Sequence, residues 1–134
     1  MQADELAILD VSPLPCPRRM IDRRTVQRMI EATVAAAFNL PVEELQAKTR
    51  RTAPVAFARQ VSMYCAHVTF GWSLTEAGAL FGRDRTTAAH ACRVVEDRRD
   101  DETLDHLVQA IEDALHAWIV AMSECRKLSP RFLP

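Results

Sequence analysis

Apolar residues recur along this chain at intervals of three and four, and no run alternates every second position as a half-buried strand would. From Thr25, the positions Val26, Met29, Ile30, Val34 and Ala37 mark one side of a helix. It is predicted to stop near Asn39, because Pro41 disfavours helix at Leu40. A short helix over about 42–47 follows, anchored by Leu45. Pro54 suits the first turn of a longer helix to about residue 70, with Val55, Val61, Tyr64, Cys65 and Val68 as its buried side. Ser73-Leu74-Thr75-Glu76 has the form of a capping box and opens a helix over 74–81. After an interruption at Arg98 to Asp101, Leu104, Leu107, Val108, Ile111, Leu115, Trp118, Ile119 and Met122 define a long amphipathic last helix. Pro13, Pro15 and Pro17 prevent a regular helix near the start. The reading is therefore an extended leader over 1–20, one all-α domain over 21–124 and a tail over 125–134.

Between the helix over 74–81 and the next one lies a compact punctuation signal. Gly82 can take the positive φ that ends a helix, and Asp84 can cap the next, leaving Arg85, Thr86 and Thr87 on its first turn. Two helices so closely joined have helix-turn-helix spacing, and in that motif the first-turn side chains of the second helix reach base edges in the major groove.

The stretch Glu76-Ala77-Gly78-Ala79-Leu80-Phe81-Gly82-Arg83-Asp84-Arg85-Thr86-Thr87-Ala88-Ala89-His90-Ala91-Cys92-Arg93-Val94-Val95-Glu96 resembles the signature of the C-terminal DNA-binding domain of the bacterial replication initiator DnaA, roughly E-I-G-x-x-F-G-G-R-D-H-T-T-V-x-H-A-x-R-K-I-E. Upstream, Ala58-Arg59-Gln60 is similar to that family's A-R-Q or P-R-Q, so the resemblance covers about residues 22–120. It implies an all-helical fold of the Trp-repressor and DnaA C-terminal type, and binding to double-stranded DNA. The family's ATPase module needs a G-x-x-x-x-G-K-[ST] loop, which Gly71, Gly78 and Gly82 cannot compose, so no ATP chemistry is expected.

Charge changes the picture once it is located. Residues 18–99 hold 14 Lys or Arg against 8 Asp or Glu, whereas the two ends hold 3 against 10. A basic middle between acidic ends suits a nucleic-acid module, although solvated faces alone would give the same balance. Cys16, Cys65, Cys92 and Cys125 show no ligand-like pairing with the histidines, so neither a metal nor another cofactor is expected. Reduced cysteines and the lack of a long apolar run point to a cytoplasmic protein without a membrane span, and the DNA binding that the resemblance implies would place it at the nucleoid.

For individual residues several readings stay open. Arg85 stands where the DnaA family mostly has His; it can bind guanine with two hydrogen bonds or only touch phosphate. Asp84 can cap alone, or cap and also accept from a cytosine amino group. By resemblance, Thr86 and Thr87 imply thymine-methyl and phosphate contacts. Arg50 and Arg51 lie in the basic loop Lys48 to Ala53, from which the family sends an arginine into the minor groove, and alignment favours Arg51. Lys48, Arg59, Gln60, Arg83 and Arg93 are further candidates for the interface. His90 is read as packed and hydrogen-bonded, and no catalytic constellation is visible.

Two functions follow from these residues. One is sequence-specific binding at sites like the initiator's, regulating chromosome replication or transcription. The alternative is an interaction protein that modulates DnaA or its regulators, favoured by departures that remove charge: Phe57 and Val94 at commonly basic positions, Ala53 in the loop, and one glycine before Arg83 instead of two. Each lost phosphate contact makes the salt slope shallower by about 0.9. Trp118 is expected to anchor a protein partner or a homodimer through the last helix in preference to the core.

Overall fold

The computed structural model describes residues 21–47 and 52–132, with the backbone alone from residue 126 onward. Among these residues there are helices and no strand: α1 (Arg23–Phe38), α2 (Val42–Gln46), α3 (Ala53–Val68), α4 (Leu74–Leu80), α5 (Arg85–Arg98) and α6 (Glu102–Phe132). The leader over 1–20 and the basic residues Lys48, Arg50 and Arg51 lie outside the described residues.

Local chemistry sets most of the ends. Asp22 opens α1 by accepting hydrogen bonds from the Thr25 amide at 2.9 Å and the Thr25 hydroxyl at 3.1 Å. Asn39 closes it in the left-handed conformation, φ 55°, where its N–H reaches the carbonyls of Ala35 and Ala36. Pro54 sits in the first turn of α3, where its missing N–H costs no helical bond.

The core forms around α3, which buries Val55, Phe57, Ala58, Val61, Tyr64 and Cys65 and packs against α1 and α5. Val26, Ile30 and Val34 come from α1, Ala88, Ala91 and Val95 from α5, and Val108, Ile111, Leu115 and Ile119 from α6. Burial pushes the Cys65 thiol up to about 12, so it behaves as a small apolar group. Val68 departs from expectation and is exposed. It is the last residue of α3, and the chain beyond the helix supplies Phe70 and Trp72 to the core instead.

The last helix starts directly after the interruption at Arg98 to Asp101 and runs on past its predicted end. Asp101 accepts from the amides of Thr103 (2.9 Å) and Leu104 (3.2 Å), so helix begins before the first apolar position. At the other end α6 continues through the residues expected to form a tail, as far as Phe132. A polar run stops an apolar stripe but not a helix, which here runs on past Pro130.

Between α5 and α6, Arg99 acts as a half-buried clasp. Its guanidinium donates to Glu112 at 2.6 Å, the Tyr64 hydroxyl at 3.2 Å, Gln109 at 3.1 Å, and Asp105. Partial burial opposes the charge, but the Asp105, Glu112 and Tyr64 acceptors outweigh it and hold Arg99 above its ordinary pKa.

Candidate nucleic-acid interface

The segment from Ser73 to Thr87 is built from two capped helices and a turn with little freedom. The Ser73 hydroxyl accepts from the Glu76 amide at 3.1 Å, and the Glu76 carboxylate accepts from the Ser73 amide at 3.2 Å. This is the reciprocal capping box that the sequence predicts. At the far end of α4, the Arg83 amide donates to the Gly78 carbonyl at 2.8 Å and the Gly82 amide to Ala79 at 3.1 Å. Gly82 has φ +70°, which ends α4 as expected.

Gly78 has a separate role that no local signal reveals. A Cβ there would stand 2.6 Å from the Asp84 carbonyl oxygen and 2.9 Å from that of Arg83. Only a glycine lets the backbone that starts α5 lie this close on α4. Asp84 then caps α5, accepting from the Thr87 amide at 2.8 Å.

Arg83, Asp84, Arg85, Thr86 and Thr87 are all exposed, and so are His90 and Arg93 farther along α5. Thr86, His90 and Arg93 fall on one face by the 3.6-residue period, opposite Ala88, Ala91, Cys92 and Val95, which face the core. The reading of His90 as a packed residue is thus corrected. Its spacing of four from Thr86 and three to Arg93 was the available signal, and the flanking alanines obscured it.

Arg59 does not stand free on α3. Its guanidinium donates to the backbone carbonyls of Glu44 (2.9 Å), Leu45 (3.3 Å) and Ala47, at the C-terminal end of α2. A cation suits the negative end of a helix, so Arg59 fixes the chain just before the basic loop departs. Gln60 beside it is partly exposed. A cleft of about 380 Å³ has Ala47 and Arg59 on one side and Phe81, Gly82 and Arg83 on the other. The residue that leads into the basic loop and the turn of the two-helix motif therefore border the same space. The buried Glu31 carboxylate lines it too, bonded by the amides of Gln46 at 3.2 Å and Gln27 at 3.5 Å.

Among the departures, Phe57 is buried, meets Phe38 edge-on at 5.8 Å between ring centroids, and carries the Arg98 guanidinium 4.2 Å above its ring. Arg98 thus makes a cation–π contact with a ring that belongs to the core.

The amides and hydroxyl of the following turn hold the Asp84 carboxyl below its ordinary value, and Asp22 is lowered in the same way. A lowered folded-state pKa means that this stabilisation is present above the unfolded carboxylate pKa and lost as pH falls through the folded one. Acid titration is expected to loosen the first turns of α1 and α5 while the rest of the fold persists. Amide exchange measured at Thr25 and Thr87 would check it, and protection unchanged down to the acid transition of the whole domain would contradict it.

A helical core presenting a capped, exposed second helix after a tight turn defines a helix-turn-helix domain. Residues 27–95 match the family of the bacterial dnaA protein helix-turn-helix, and this chain belongs to that family. It is 41% identical over 88 residues to the chromosomal replication initiator protein DnaA of Burkholderia multivorans (strain ATCC 17616 / 249) and of Burkholderia vietnamiensis (strain G4 / LMG 22486), a match covering 64% of this chain and 17% of each relative. Burkholderia mallei (strain SAVP1) DnaA is equally similar, with 16% of its length covered. The chain thus spans about a sixth of the length of these relatives.

Proposed function

We propose that this chain binds double-stranded DNA at sites like those of the replication initiator and so regulates chromosome replication or transcription at the nucleoid. The observation that carries this reading is the exposed row from Arg83 to Thr87, extended by His90 and Arg93, on a helix whose start is fixed by Gly78 and Asp84. Arg85 would read guanine through two hydrogen bonds, with Thr86 and Thr87 against thymine methyl groups and phosphate, and Asp84 would also accept from cytosine. Arg83, Arg93, Gln60, Lys48 and Arg50 would contact phosphate, Arg51 would enter the minor groove, and Arg59 would hold the base of that loop.

A second reading has its own support. Phe57 occupies a commonly basic position and is buried under Arg98, so this position offers no phosphate contact. In that reading the domain modulates DnaA or one of its regulators through protein contacts.

Gel-shift titration against a duplex carrying the initiator's consensus box and a scrambled duplex tests both. Arg85→Ala is expected to cut the preference between the two duplexes by about 1–3 kcal/mol, or about 5- to 150-fold, and total binding less. Arg51→Ala should erase the penalty for replacing flanking A·T pairs by G·C. Equal losses on both duplexes would reduce Arg85 to a phosphate contact, and no binding to either would favour the second reading.

A further inference from the structure

α6 is 31 residues long, about 46 Å, and only one side of it is used by the core. Val108, Ile111, Leu115 and Ile119 are buried. On the edge of that stripe Trp118 remains 46% exposed, whereas the other tryptophan, Trp72, is 3% exposed in the core. Trp118 rims an apolar groove of about 460 Å³ whose floor and far wall are Ala110 and Ala114 of α6 and Ala32, Ala36 and Ala37 of α1. Ala117 and Ala121, also exposed, continue the α6 side of this face. The spacing 110, 114, 117, 121 is the alternating four and three of a helix-pairing seam.

The charge along the same helix is uneven. Asp100, Asp101, Glu102 and Asp105 crowd its start, Asp105 already paired with Arg99, while Arg126, Lys127 and Arg131 follow Glu124 in its last turns. A parallel neighbour of the same kind would put like charge on like charge. An antiparallel one would put each acidic end beside a basic end and oppose the two helix dipoles.

We propose that two copies of this chain pair through antiparallel α6 helices, the Trp118 of each seated against the alanines of the other. Both halves of the complementarity, large against small and acid against base, lie on one element, which is what a two-fold interface requires of a single surface. Setting Ala114 across from Ala121 also sets Ala110 across from Cys125 and Trp118 across from Ala117. Each tryptophan then covers the partner's small residues and leaves water, the kind of buried aromatic anchor that carries most of an interface's energy. The inference does not rest on DNA binding, and its test contains no DNA.

Sedimentation velocity of the full chain through the micromolar range should show a concentration-dependent dimer. Trp118→Ala should remain monomeric over that range with its helical circular dichroism intact, and Ala117→Glu, at an exposed position that cannot empty the core, should do the same. Direction is read separately in a Cys16→Ser background with a short bismaleimide. Adding Ala110→Cys should produce a cross-linked dimer through Cys125 of the other copy, and the background protein should not cross-link. A wild-type chain that stays monomeric, an Ala117→Glu chain that still dimerises, or cross-linking of the background as strong as with Ala110→Cys would overturn the proposal.

Discussion

Arg99→Ala is expected to destabilise the domain by about 3–5 kcal/mol, the range for removing one partner of a buried ion pair. Arg99 is only 19% exposed and Glu112 11% by side chain, at 2.6 Å from each other. With the guanidinium gone, the Glu112 carboxylate would be left between α3 and α6 with no cation, and the Tyr64 hydroxyl would lose its donor. The turn from α5 to α6 would also lose its tie to Asp105 and Gln109. Urea denaturation at fixed protein concentration measures this directly. Arg99→Lys should recover only part of the stability, because an ammonium cannot aim donors in four directions as the planar fork does. Glu112→Gln in the Arg99→Ala background should also restore part, since it removes the stranded charge. A loss near the 0–1 kcal/mol of an exposed pair would mean that water reaches Glu112 and the clasp is superficial.

What the sequence discloses of this molecule is what depends on neighbours a few residues away. Periodicity locates the helices because each must bury one stripe, and the Ser73–Glu76 box and the Asp84 cap are legible because both partners lie within one turn. The bounds of α6 are less legible, since Asp101 caps it through amides that carry no apolar mark. Contacts that close over longer separations leave no local trace. Arg59 reads as a surface cation until α2 is folded back to offer its carbonyls, and Arg99 reads as part of a polar interruption until Glu112 and Tyr64 are brought to it. His90 fails for a different reason: alanine neighbours look like core, yet only one side of α5 is covered. Of the site, then, the row Arg83 to Thr87 is legible from its turn and cap, but what fixes that row in place is not.

The fixing element is Gly78, and Gly78→Ala is expected to damage DNA binding far beyond its effect on stability. The added methyl would meet the Asp84 carbonyl oxygen at 2.6 Å, a distance at which backbone must move. Overpacking of this kind costs about 1–3 kcal/mol, and the better helix propensity of alanine returns up to about 1 kcal/mol. The domain should stay folded. The start of α5 must nonetheless shift away from α4, carrying Arg83, Asp84 and Arg85 with it, and a base-reading side chain tolerates only about 0.5 Å of displacement. Loss of a single bidentate base contact is worth about 5- to 150-fold in affinity. Fluorescence polarisation against the duplex carrying the initiator's consensus box should show a loss in that range. Gly82→Ala separates the two glycine roles, because its φ of +70° is strained for alanine while the space around it is open. That variant should lose stability, about 1–2 kcal/mol, with a smaller effect on affinity once folding is corrected for. If both variants lose affinity only in proportion to stability, the contact at Gly78 does not position α5.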